Sequence, residues 1–525
     1  MSEHYQNLSL ANPEANELSG SQKLFLALGL TGLFILVLAL VNLQFPYKAI
    51  WLLASIALIL VGVIGYSRAS YKSLPGIHNN GVFFKSMSGR GVWAWSLGVV
   101  LTALYVFLYW LPGYLGLGQD GAGNTGLVGF FDPLSYFLNG HAATQWFVYG
   151  TLYTLAILAF GYKFILKYRH NKYQVIRTIS VMFFQLALAF LLPEILTKLN
   201  PTVPYFSKDI KNMWPLNYYF FEDWHLTAML KGGNLGKWML YFGLAMIFIG
   251  SPILTYFFGK RWYCSWVCGC GGLAETAGDP FRQLSSKKLS AWKFERWSVH
   301  FVLVFVVLMT IAVLYTFLSS DTNNGFITRE IFTWGMVILL SAIIATIWIF
   351  KRKSLDKDAR YTMVSLGVIV VGTMVLNFSM NATNIFFIDS NLLRSVYGFL
   401  IGAAFSGVVG VGFYPLMGSR VWCRFGCPMA AILGLQQKLF SRFRITTNGG
   451  QCISCGNCST YCEMGIDVRA YAQKGENIVR SSCVGCGICA AVCPRGVLKL
   501  ENGDRSTRFE QDPILINKDG ISVID

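Results

Sequence analysis

The chain has 525 residues, of which 54% are hydrophobic and 13% charged, and its mean hydropathy is +0.49. These values exclude an ordinary soluble domain and fit an integral membrane protein. The formal charge of +17 is spread over loops between apolar runs rather than gathered in one patch, which argues against nucleic acid as a partner.

The first 22 residues lack a basic start and a small-residue cleavage site, so the first apolar run is expected to remain as a helix. Runs of about 20 apolar residues, the length that crosses roughly 30 Å of hydrocarbon, recur along most of the chain. Spans are expected near 24–43, 50–66, 92–111, 146–166, 178–197, 238–258, 297–318, 331–350, 361–378 and 392–414, ten helices in all. Lys and Arg number 4, 5, 7 and 5 in segments 67–91, 163–177, 259–296 and 351–360. The alternate segments 44–49, 112–145, 198–237, 319–330 and 379–391 hold 1, 0, 5, 1 and 0. Because cytoplasmic loops carry the excess, the expectation is a multi-pass protein of the cell inner membrane with its N-terminus and C-terminal domain in the cytoplasm.

The outside loops include an aromatic stretch over 200–225, whose simplest reading is an interfacial belt of Trp and Tyr. Its functional reading is a docking surface or small-molecule pocket using Glu222, Asp223 and His225. Proton-accepting groups near span ends are scarce: Glu194 lies at an outer end and His300 at a cytoplasmic end, and both read first as interfacial or satisfied side chains. His141 and His225 sit on outside loops, which leaves no pair of axial ligands, so no haem is expected.

After the sixth span the sequence reads GKRWYCSWVCG over 259–269, and after the tenth GSRVWCRFGCP over 418–428. Gly five residues before the first Cys, Arg three before it and a C-x3-C pair recur in both, which reads as an internal repeat. If the pairs are helical, Cys264 and Cys268 share one face, as do Cys423 and Cys427, and the four converge at the membrane edge. They would hold a third iron–sulfur cluster, form two dithiol/disulfide pairs, bind a structural zinc, or remain unliganded. Cys270 has no equivalent in the second copy, which has Met429 there, and reads as a spare or substitute ligand.

Beyond residue 415 hydrophobicity drops and ten of the thirteen cysteines appear. Residues from 452 read CISCGNCSTYCEMG, and from 483 CVGCGICAAVCPRG. Each has the C-x2-C-x2-C-x3-C spacing that wraps three thiolates round one cubane and sends the fourth to its neighbour. Two 4Fe–4S clusters are therefore expected, one on Cys452, Cys455, Cys458 and Cys493, the other on Cys483, Cys486, Cys489 and Cys462. Zinc sites pair C-x2-C units differently, and disulfides do not suit a reducing compartment. Gly456, Gly485 and Gly487 would let the backbone approach the sulfides. Pro494 follows the last cysteine; Glu463 stands in the corresponding place after Cys462, where its charge is expected to lower the potential of the adjacent cluster. The tail PILINKDGISVID reads as a short strand pair.

At these residues the chain resembles the membrane polyferredoxins typified by the NapH subunit of the periplasmic nitrate reductase system and the C-terminal half of the NosR protein, over roughly 238–500. The cytochrome-oxidase assembly protein CcoG is a weaker match. Two features depart from the pattern: Gly269 stands in place of a proline after Cys268, and residues 1–237 have no counterpart. The resemblance implies electron transfer between a quinol or quinone pool and a soluble or periplasmic redox protein. A redox-sensing or metal-site maturation factor, and an outer-face membrane enzyme fed by the clusters, are the rival expectations. The expected fold is an all-α polytopic membrane protein with a small cytoplasmic α+β ferredoxin-like domain. Its divisions are a tail over 1–23, transmembrane regions over 24–237 and 238–430, the double-cluster domain over 431–500 and a tail over 501–525.

Overall fold

The computed structural model describes residues 18–72, 90–118, 122–200, 220–319, 328–351, 357–502, 514–517 and 520–523. Among the described residues, ten helices are long and apolar enough to cross a membrane: Gly20–Leu40, Lys48–Ser70, Val92–Trp110, Gln145–Lys167, Lys172–Leu199, Gly233–Phe258, Leu289–Leu318, Arg329–Phe350, Arg360–Ser379 and Ser390–Val409. They are numbered as the first to tenth spans below. Local chemistry starts several of them: Ser19 and Gln22 form a capping box, and the side chains of Thr144 and Asn171 accept from Phe147 N and Gln174 N. The tenth ends at Val409, short of the expected 414, where Gly410 and Gly412 turn the chain.

Three spans unwind locally into π-helix, at Phe184–Leu191, Met246–Gly250 and Gly398–Val409. The described residues of the segment between the third and fourth spans include regular structure. They contain the helix Gly126–Leu138, whose Leu127, Val128, Phe130 and Phe131 pack with Ala39, Leu108 and Phe147 of the first, third and fourth spans. Asn124 anchors this helix by donating to Asp132 Oδ1 (2.8 Å) and Ala143 O (2.7 Å). Thirteen residues are too few to cross hydrocarbon but enough to cap the bundle.

The C-terminal head is built from a strand pair and helical turns. Arg444–Thr447 pairs antiparallel with Leu498–Glu501, Ile445 bridges to Ile478, and helical turns run over Asn457–Thr460 and Ile488–Ala491. The tail forms the expected hairpin, Ile514–Asn517 against Gly520–Val523. One hydrophobic core joins the head to both thiol motifs: Cys264 and Cys423 share it with Leu433, Phe443, Ile445, Cys458, Cys483 and Cys489. The N-terminal half also grips the head. Tyr173 Oη donates to Gly485 O (2.9 Å), Gln174 Nε2 donates to Cys486 O (2.8 Å), and Phe164 and Tyr168 pack on Tyr461 and Ile488.

Candidate iron–sulfur centre

The two cysteine runs of the head fold into similar loops. Gly456 and Gly487, each just after the second cysteine of its run, have φ of +80° and +76° and lead into a helical turn. Between the first two cysteines, Gly485 has φ of +64° and Ser454 the matching +57°. These left-handed residues curl the backbone so that successive thiols turn inward. Cys452, Cys455 and Cys458 line one cavity with Cys493, which comes from the second run. Conversely, Cys462 of the first run lies within electrostatic reach of Cys483 and Cys489, which neighbours Cys486. The chain thus crosses between two sets of four thiols.

Burial works against thiolate in both sets. It pushes Cys458 up to about 12, Cys483 to about 11 and Cys486 to about 12. Iron bound by these cysteines would supply the positive charge that reverses this preference, as metals do for any coordinating thiol. Backbone donors are already in place: Ile466 N–H points at Cys462 Sγ (3.4 Å), and Ala430 N–H at Cys427 Sγ (3.4 Å).

The repeated motif gathers a further four thiols, though not as continuous helix. Gly259 (φ +65°, ψ −179°) and Gly418 (φ +99°, ψ 166°) both adopt a backbone essentially restricted to glycine, ending the preceding helix in the same way. Cys264 then closes the short helix Arg261–Cys264, whereas Cys268 is the N-cap of Gly269–Thr276. Likewise Cys423 lies in Val421–Phe425 and Cys427 is the N-cap of Pro428–Phe440. The expected i, i+4 helical face is therefore replaced by a break between the cysteines of each pair, which sets the second thiol at a helix start. Cys427 lies within electrostatic reach of Cys264, Cys268 and Cys423, and those three of one another.

Nor do these motifs stay at the foot of the helices. Ser180 Oγ donates to Trp266 O (2.9 Å), a Cβ on Gly272 would strike Val181, and one on Gly269 would strike Gln185 and Tyr153. At about 1.5 Å per residue, Gln185 lies roughly 20 Å along the fifth span from Lys172. The first motif is thus sunk into the bundle, where irregular backbone is tolerated because protein surrounds it. Cys270 bonds to Cys268 through its thiol; this bond, opposed by burial and aided by the backbone N–H of Gly271, holds Cys268 below the usual thiol range, while Cys270 is pushed up.

A buried ion network, largely invisible in the sequence, ties the sites together. Arg420 Nη1 donates to Cys264 O (3.1 Å) and lies 3.6 Å from Cys423 Sγ, while its Nε donates to Glu463 Oε1 (2.9 Å) and its Nη2 to Glu275. Glu463 also pairs with Arg282 (3.0 Å), Glu275 with Arg177, and Asp279 with Arg282 (3.1 Å) and Lys167 (2.5 Å). Burial opposes the charge of Glu463, but Arg420, Arg282 and Arg177 outweigh it and hold its carboxyl below the usual range. Glu463, expected to lower the potential of the adjacent cluster, has a guanidinium group on each of its oxygens, which offsets its charge there. The Arg recurring in the repeat also diverges, since Arg261 stacks on Phe443 (4.5 Å) and bonds to Asn502. Lys260 is buried instead, its Nζ reaching Ser481 O and its backbone N donating to Gln437. Gln437 in turn donates to Arg480 O and Cys483 O, each at 2.9 Å.

The other candidate residues are engaged or peripheral. Glu194 is buried and accepts from Asn139 Nδ2 (2.7 Å). Glu222 is buried against Arg394 (3.1 Å) and Trp224, and His225 is buried with Nδ1 3.1 Å from Phe220 O, at the start of the helix Asp223–Lys231. His300 is exposed and bonded to the preceding turn at Arg296 O, and His141 is exposed on its loop. The rest of the aromatic loop, 201–219, and the side chain of Asp223 lie outside the described residues.

Residues 451–498 match the 4Fe-4S dicluster domain family, and residues 240–290 and 399–446 both match the 4Fe-4S binding domain family. Each of the latter segments contains one C-x3-C motif, so the repeat read from the residues is a repeat of one family's sequence. The chain is 26% identical over 224 residues, 43% of its length, to YccM of Escherichia coli (strain K12), which carries the name of an electron transport protein. That alignment takes in 47% of YccM, so the chain spans about half the length of the curated relative it matches. No solved structure matches the chain. The chain thus carries 4Fe-4S binding sequence in its head and around both thiol motifs, together with ten helices, among the described residues, that are long and apolar enough to cross a membrane.

Proposed function

We propose that this protein transfers electrons between a membrane quinol or quinone pool and a redox partner, through three 4Fe–4S clusters set in line from the head into the membrane. Cys452, Cys455, Cys458 and Cys493 hold the outermost, Cys462, Cys483, Cys486 and Cys489 the middle one, and Cys264, Cys268, Cys423 and Cys427 the innermost. The clusters, when bound, supply one-electron chemistry; the chain supplies thiolates, spacing and the charges that set potential. The observation that carries the reading is the third thiol set, which shares a core with the ferredoxin cysteines and yet reaches Tyr153 inside the bundle. A head alone would serve a soluble carrier. Thiols sunk among the spans suit a carrier dissolved in lipid.

This reading follows the NapH and NosR type of polyferredoxin, with the head on the cytoplasmic side where the Lys and Arg of the loops collect. The ion network gives the sunken motif and the head one fixed geometry, as repeated transfer demands. Iron and sulfide analysis tests the cluster number: about twelve iron atoms per chain are expected, falling to about eight in Cys427→Ser. Eight atoms in both proteins would remove the innermost cluster from the scheme. Reduction of the clusters by a naphthoquinol tests the carrier, and a C-terminal reporter fusion tests the side.

A further inference from the structure

We propose that the interior space beside the first thiol motif, bounded by Tyr149, Tyr153, Tyr263, Gln185 and Cys270, binds the aromatic headgroup of a membrane quinone. The inference rests on the electron-transfer reading above and adds the site. Tyr149, Tyr153, Tyr263 and Tyr414 all lie within electrostatic reach of Cys270. Protein thus surrounds this thiol, yet its side chain keeps open surface. Tyr149, Tyr153 and Tyr263 are likewise only partly covered, and the open surface of these four side chains is what the proposed site uses.

The walls suit a planar ring. Tyr149 and Tyr153 lie 5.3 Å apart, Tyr105 meets Tyr149 edge-on at 5.8 Å, and Trp146 joins Tyr149 at 6.4 Å and Tyr109 at 5.1 Å. Such faces and edges hold aromatic guests in stacked or T-shaped contact. Gly269 lies against Gln185 and Tyr153, where a Cβ would collide with the Gln185 amide oxygen. The polar groups are few and complementary, as ligand sites require. The Tyr153 hydroxyl makes no hydrogen bond among the described residues, leaving a donor for a quinone carbonyl. Gln185, 7% exposed, donates through Nε2 to Thr154 Oγ1 (3.0 Å) and turns Oε1 toward Gly269, an acceptor for a quinol hydroxyl.

Two of the three π-helical stretches frame this space. One begins with Phe184 and Gln185; the other carries Gly402, whose carbonyl accepts from Tyr109 (3.4 Å), and Gly407, against Tyr105 and Tyr109. π-helical departures inside α-helices recur at functional places. An acyl chain would leave the phenol and amide without a purpose. A quinone uses both, and it would lie against Cys268 of the innermost thiol set.

The full chain in detergent is titrated with 2,3-dimethyl-1,4-naphthoquinone, and quenching of tryptophan fluorescence gives Kd without any need for clusters. Tyr153→Phe keeps the ring and removes the donor, so Kd is expected to rise roughly fivefold. Cys270→Leu fills the space and is expected to raise Kd at least about tenfold, since an overfilled pocket must shift to admit a ring. Tyr361→Phe, on the exposed face of the ninth span, leaves Kd unchanged. Iron content equal to that of the wild type shows that a variant has kept its fold. Wild-type binding with unchanged Kd in both variants overturns the site and leaves the quinone reading intact. Absence of binding by the wild type overturns both.

Discussion

Ser454 holds φ of +57° where its counterpart in the second loop is Gly485. An L-residue with a Cβ is disfavoured there by roughly 1–2 kcal/mol, and glycine is not. The serine gains one exposed bond, from Gln473 Nε2 to its Oγ (2.7 Å). Ser454→Gly gives up that bond and some unfolded-state advantage, so a net gain of about 0.5–1 kcal/mol is expected, read as a higher denaturation midpoint with iron content unchanged. The two cysteine runs were legible residue by residue because wrapping a cubane is local chemistry. The partners of Glu463 were not. Its guanidinium partners Arg420 and Arg282 lie far away in sequence, and nothing about an isolated Arg announces that it will be buried.

At the scale of elements, the spans were legible because hydrocarbon thickness fixes their length and forbids charge within them. The repeat was legible too, but its shape was misread. Spacing of i and i+4 describes a helix face only if the helix continues, and here each second cysteine is an N-cap. The glycine before each motif ends the preceding helix, so that the first cysteine sits on a short helix of its own, which stops before the second. A Cβ on Gly418 would lie 2.3 Å from Ser285 Oγ and 2.8 Å from its backbone N, at a φ of +99°. Gly418→Ala is therefore expected to cost about 2 kcal/mol or more, through strain and displacement of the segment at Ser285. Thermal unfolding in detergent would register it, together with reduced iron retention. Gly259→Ala, which meets Gln437 and Phe443, is expected to behave alike.

At the scale of the whole molecule, the head is joined to the bundle by buried charge as well as by the apolar core it shares with both thiol motifs. Lys167, Arg177, Arg282 and Arg420 face Glu275, Asp279 and Glu463, and all but Lys167 are buried. Dehydrating so many charges is costly, and apolar residues of similar volume often serve stability as well. What the network adds is geometry: a guanidinium that touches Cys264 O, Cys423 and Glu463 at once admits one arrangement of head against motif. Removing one partner strands the other in a low-dielectric interior. Glu463→Gln alone is expected to destabilise by about 3–5 kcal/mol, because Arg282 and Arg420 lose a shared counter-charge, and Arg282→Gln alone by a similar amount. The double variant removes one charge of each sign and should be less destabilised than the sum of the singles by about 1–3 kcal/mol. Denaturation of the four proteins in detergent, with iron measured on each, reads that coupling. Additive losses would mean that the pair is not a unit and that apolar contacts alone orient the head.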